Sequence, residues 1–140
     1  MIGLDTNVLA RYYTASTSKD DVATAKQCEA AKQLIESGKR LMVSQTVVLE
    51  LEWVLRGYYG VSPPDVQAVF LHLLSLSHIE LEDRVAVQAA VDAVGSGFDF
   101  ADVLHHGAYR RCASVATFDD KGFVRRAKKA GLKPTVTMLG

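Results

Sequence analysis

Short apolar runs, each cut off by a polar or acidic residue and followed by a longer stretch of helical periodicity, recur along this chain. That alternation restricts the fold more than any other feature. Met1-Ile2-Gly3-Leu4 stops at Asp5-Thr6-Asn7, and Leu41-Met42-Val43 stops at Ser44. Ile79-Glu80-Leu81 follows, then residues 114–118 closed by Asp119-Asp120, with Thr135-Val136-Thr137 as a last strand candidate. Strands separated by helices are joined by crossovers, so they lie parallel, and a parallel sheet needs cover on both faces. The expected fold is therefore α/β, an α/β/α sandwich around a central parallel sheet.

The helices between the strands carry their own start and stop signals. Ser18 with Asp21 three residues on has the spacing of a capping box, and Gly38 suits the far end of the helix it opens. A helix over residues 44–59 has Val47, Val48, Leu51, Val54, Leu55 and Tyr58 as its apolar stripe, and Trp53, Tyr58 and Tyr59 are expected in the core, with some of these rings exposed for contact with another protein. Ser62-Pro63-Pro64-Asp65 supplies a cap, a proline at the first helical position and an acid in the first turn. Further helices are expected over residues 85–94, from about Asp99 after the Gly95-Ser96-Gly97 break, and from Asp119-Asp120 to about Ala130. Nothing repeats and nothing reads as a linker, so residues 1–140 are expected to form one domain, with a core large enough to stand without staples.

Composition narrows the function classes. Sixteen basic residues balance sixteen acidic ones, so any attraction for nucleic acid must come from a local patch. Cys28 and Cys112 stand far apart with no CxxC spacing, which argues against a zinc site or disulfide framework and suits a reducing compartment; both read as small buried apolar residues. No basic leader precedes an apolar segment and no apolar run nears ~18 residues, so a cytoplasmic protein without membrane contact is expected.

The acids then fall into a pattern. Ligands of open parallel sheets bind at the carboxyl ends of the strands. Asp5 directly follows the first strand and Asp119 follows the fourth, while Glu50 lies early in the helix after the second. Asp99 and Asp102, spaced i, i+3, share a helical face. Carboxylates gathered in this way repel one another unless a hard cation such as Mg²⁺ or Mn²⁺ joins them, and such a site suits phosphodiester hydrolysis. Each acid also has a plainer reading. Asp5, Asp99 and Asp119 stand where helix caps are wanted, and Asp102 fits the third position of a box capped by Asp99. Glu50 and Glu52 flank the apolar stripe on opposite sides, and the pattern does not choose between them.

Leu4-Asp5-Thr6-Asn7-Val8-Leu9, Val48-Leu49-Glu50-Leu51 running to Trp53-Val54-Leu55, Phe98-Asp99-Phe100-Ala101-Asp102 and Ala116-Thr117-Phe118-Asp119 resemble, in order and spacing, the signature segments of PIN-domain proteins. The length is similar to that of the VapC toxins of type II toxin–antitoxin pairs. The resemblance implies a metal-dependent endoribonuclease in which Asp5, Glu50, Asp102 and Asp119 act on RNA. It makes Asp5 and Asp102 the main ligands of Mg²⁺ (or Mn²⁺), with Asp99 accessory, and it favours Glu50 over Glu52. Thr6, Asn7 and Thr117 would shape the site. A cognate antitoxin protein and a homodimeric partner are implied as well.

The sequence departs from the family at Val103-Leu104-His105-His106, and the adjacent acids leave Asp120 as a rival to Asp119. His105 shares a face with Asp102, and Lys121 and Arg125 lie nearest the acidic edge; these three are the candidate RNA contacts, with solvated or packing roles as the plain alternative. Two other functions are compatible with parts of the pattern. One is a PIN-fold binding module without activity. The other is an aspartate-based phosphotransferase, which the absence of a second acid two residues after Asp5 disfavours.

Overall fold

The computed structural model describes residues 1–15, 21–119 and 122–139. They form two compact units, Met1–Arg84 and Val85–Gly140. Every strand pair is parallel, as crossover connections demand, and the class is α/β.

The first unit holds a ladder of three strands, β1 (Ile2–Gly3), β2 (Leu41–Val43) and β3 (Ile79–Leu81), in that spatial order. Ile2 pairs with Leu41 and Leu41 with Ile79. Helices α1 (Thr6–Tyr13) and α2 (Val22–Ile35) connect β1 to β2; α3 (Gln45–Trp53), a π turn (Val54–Tyr58) and α4 (Pro63–Ser75) connect β2 to β3. Leu9, Ile35, Leu41, Val43, Val48 and Phe70 are among its fully buried side chains.

Local chemistry sets the helix starts. Ser62 caps α4 ahead of Pro63, as its position before the proline pair predicts. Ser18 lies outside the described residues, and the cap of α2 is Asp21, whose carboxylate accepts from the Thr24 amide. That hydrogen bond holds the Asp21 carboxyl below its usual range.

The helix expected over residues 44–59 is two objects. It runs as α-helix from Gln45 to Trp53, then widens, with the Tyr59 amide donating to the Val54 carbonyl. A π turn delays the helical wheel by about one residue. Val48, Leu51 and Leu55 therefore stay in the core, while Tyr58 swings out to 74% exposure. Trp53, two positions beyond Leu51 on the wheel's far side, is 60% exposed, so these two rings are the ones left outside the core.

The second unit contains α5 (Arg84–Asp92), α6 (Phe100–Ala108), β4 (Ser114–Thr117), α7 (Phe123–Ala130) and β5 (Thr135–Met138). β4 and β5 pair in parallel from Ser114 opposite Thr135 to Thr117 opposite Met138, with α7 as their crossover. Val124, Ala127 and Val136 form a small core under Phe123 and Leu132. Gly107 of α6 faces Ala86 of α5 so closely that a Cβ there would lie 3.0 Å from the Ala86 Cβ. The fourth strand stops one residue earlier than expected, and Phe118 is exposed. Cys112 is exposed and Cys28 half-buried, so the expectation of two buried thiols does not hold. No helix among the described residues is long and apolar enough to cross a membrane.

Candidate active site

In the first unit the carboxyl ends of the parallel strands present the expected acids. β1 ends two residues before Asp5, which caps α1: its carboxylate accepts from the Thr6 amide at 2.8 Å. The plain capping role is thus real for Asp5, yet the side chain stays exposed and lines a cleft of about 330 Å³. Thr6, Asn7 and Glu50 line the same cleft, together with Arg11 and Tyr59. Thr6 is buried, and its hydroxyl donates to the Glu50 carboxylate, so the first turn of α1 aims an acid carried by α3.

The two glutamates that the apolar stripe left undecided have separate partners. Glu50 faces the cleft. Glu52 is buried and forms an ion pair with Arg56 one turn on, at 3.0 Å. Glu82, which the sequence reading did not single out, stands just past β3 and accepts from the Gln45 amide at 2.9 Å. A carboxylate there satisfies one of the orphan amides of α3 and suits the positive end of its dipole. Only the pairing of β3 with β2 brings it near, so no local signal could have found it.

In the second unit Asp99 caps α6 by accepting from the Asp102 amide at 3.2 Å, and Asp102 occupies the third helical position. Asp119 follows β4, and its amide donates to the Thr117 hydroxyl at 3.1 Å, so Thr117 shapes the turn that presents it. Asp119 does not cap α7, whose N-cap is Gly122 and whose first residue is Phe123. Partial burial raises the Asp102 carboxyl above its ordinary range, and the Asp99 and Asp119 carboxylates push it further up. His105 and Arg126 pull the other way.

Arg126 is a residue that sequence reasoning missed in favour of Arg125. Phe123, Val124 and Ala127 form the inward face of α7, which leaves Arg126 on its flank and Arg125 on the opposite side; that phase was readable from the apolar spacing. His105 is exposed and meets the Tyr109 ring edge-on. His106 is buried against Phe123, with neither ring nitrogen hydrogen-bonded among the described residues, a packing role as expected. Asp120 and Lys121 lie outside the described residues.

The structure thus gathers Asp5, Thr6, Asn7 and Glu50 in one unit, and Asp99, Asp102 and Asp119 in the other. In neither unit do three His, Cys, Asp or Glu side chains among the described residues close to a metal-holding group. The donors nevertheless fit a hard divalent cation in kind. They are carboxylate oxygens, and those around Asp102 repel one another in a way that a cation would relieve.

Parallel strands with acids at their carboxyl ends are compatible with carboxylate-based chemistry, and one comparison gives the family. The sequence model of the PIN domain matches residues 2–129, across both units, and the chain belongs to the PIN domain family. PIN domains have a nuclease-type fold and generally use divalent metal ions. No curated protein and no solved structure matches the chain.

Proposed function

We propose that this chain is a metal-dependent endoribonuclease, the toxin of a type II toxin–antitoxin pair, with residues 1–140 working as a single PIN-like domain. Asp5, Glu50, Asp102 and Asp119 are its catalytic acids. Asp5 and Asp102, with Asp99 accessory, would hold Mg²⁺ or Mn²⁺. When bound, such an ion would supply Lewis acidity at the phosphodiester and acidify an attacking water.

The chain's own residues would do the rest. Thr6 holds Glu50 in one orientation, Thr117 presents Asp119, and Arg126 and His105 lower the repulsion around Asp102. The observation that carries this reading is the pair of carboxylates, Asp5 and Glu50, lining one cleft at the carboxyl ends of the strands, with Glu50 held by the Thr6 hydroxyl. The toxin role, the antitoxin partner and a homodimer rest on the resemblance of the four signature segments. Two cysteines far apart in sequence and without CxxC spacing suit a reducing cytoplasm.

The test is incubation of the purified protein with total cellular RNA, with Mg²⁺ or with EDTA, beside an Asp5→Asn protein. Asparagine caps helices as well as aspartate, so that variant removes charge and leaves α1 started. Cleavage that needs Mg²⁺ and is lost in Asp5→Asn supports the reading, and sequencing the ends names the substrate. Cleavage that persists in Asp5→Asn sinks the carboxylate-cluster mechanism. A folded, antitoxin-free protein that cuts no class of RNA would be a binding module instead.

A further inference from the structure

The Asp5–Glu50 cleft carries an aromatic rim that the acid chemistry does not use. Tyr58 lines the cleft and is 74% exposed, an unusual setting for a large ring at the end of an otherwise apolar stripe. Its position follows from the π turn, and such turns often mark functional positions. The ring does not hang free. Tyr59 meets it edge-on, with centroids 4.9 Å apart and planes at 80°. The Tyr59 hydroxyl accepts from Arg11 Nη1 at 2.9 Å, and Arg11 Nε donates to Gln27 Oε1 at 2.9 Å. Gln27, Arg11 and Tyr59 therefore brace one exposed aromatic beside two carboxylates, with a guanidinium in the same cleft.

We propose that Tyr58 is a stacking platform for an unpaired base of single-stranded RNA next to the scissile phosphate, with Arg11 and Tyr59 as the residues that position it. This rests on the nuclease reading of the same cleft. Every base has a π-face, so a braced ring takes single strands without sequence preference, whereas bases in a duplex are already stacked and paired. A ring fixed before binding loses little freedom when a base lands on it, which is the use of the brace. The role assigned to the ring is therefore to seat one unpaired base, and a base already stacked in a duplex has no face to offer it.

The experiment measures anisotropy of a labelled single-stranded oligoribonucleotide and of its duplex, in EDTA, and again with Mg²⁺ on the Asp5→Asn protein. Tyr58 is mostly in solvent, so Tyr58→Ala should fold, and its melting temperature checks this. Loss of one stacked base weakens binding roughly 5- to 150-fold. Tyr58→Ala should show that loss for the single strand and not for the duplex, and Tyr58→Trp should restore it. Tyr59→Phe, which frees the ring from Arg11, should raise KM while leaving kcat in place. Equal binding by Tyr58→Ala and wild type overturns the proposal. So does an equal loss on both RNAs, no binding by wild type, or a change in oligomeric mass without a change in RNA binding. A wild-type protein that binds through Tyr58 but never cuts would keep this proposal and remove the nuclease reading. One that cuts with Tyr58 indifferent would do the reverse.

Discussion

Thr6 shows how one side chain can serve two purposes in this chain. Its amide is tied to the Asp5 carboxylate and its hydroxyl to that of Glu50, 44 residues further along the chain, so it couples two acids distant in sequence. Groups that orient metal-binding side chains typically matter by about 10–100-fold in metal affinity or activity. Thr6→Val, which keeps shape and loses the hydroxyl, should cost that much in a Mg²⁺ titration of cleavage, and Thr6→Ser should recover most of it. If Thr6→Val titrates like wild type, Glu50 does not need orienting. Asp102 allows a prediction with a sign. Its folded carboxyl is raised, so the stability it contributes is present below the ordinary carboxylate range and is lost as pH rises through the raised value. In EDTA at neutral pH, Asp102→Asn should therefore melt higher than wild type while cutting nothing. A lower melting temperature would show that the Asp99 and Asp119 carboxylates do not strain the site.

At the scale of elements, the close approach of α5 and α6 is the point of least tolerance. Alanine in place of Gly107 would add about 1 kcal/mol of helix propensity, but its Cβ would sit 3.0 Å from the Ala86 Cβ and 3.1 Å from the Ala86 Cα. The second atom is backbone and cannot rotate away. Overpacking of this kind costs roughly 1–3 kcal/mol, so Gly107→Ala should lower the urea midpoint with an unchanged m-value. A raised midpoint would mean that the helices part without cost. The π turn teaches a related lesson. Its effect is to move Tyr58 from the core face of a helix to the rim of a cleft, and the apolar stripe of residues 44–59 contains no mark of it.

For the whole molecule, formal neutrality limits how RNA is held. With acids and bases in balance, phosphate contacts in the proposed nuclease would come from a few cations such as Arg11, Arg125 and Arg126 rather than from a general field. Two or three such contacts give a slope of log K against log salt on the order of −2 to −3. Salt titration of oligoribonucleotide binding in EDTA measures it. A slope steeper than about −5 would require a broad basic face that this composition does not offer.

What the sequence determined by itself was whatever depends on neighbours along the chain. Short apolar runs between helices meant parallel strands, Ser62 before Pro63 meant a helix start, and Asp5 and Asp119 after apolar runs meant acids at strand ends. Those inferences hold because propensity and capping act over a few residues, and because a helix between two strands forces a crossover. Tertiary structure decided the rest. Glu50 received Thr6, 44 residues away in sequence, although the wheel placed Glu50 and Glu52 symmetrically about the stripe. Glu82 became a partner of α3 through the β2–β3 pairing. Each outcome turns on which side chain meets which across the fold, through contacts between residues far apart in sequence that no local pattern encodes.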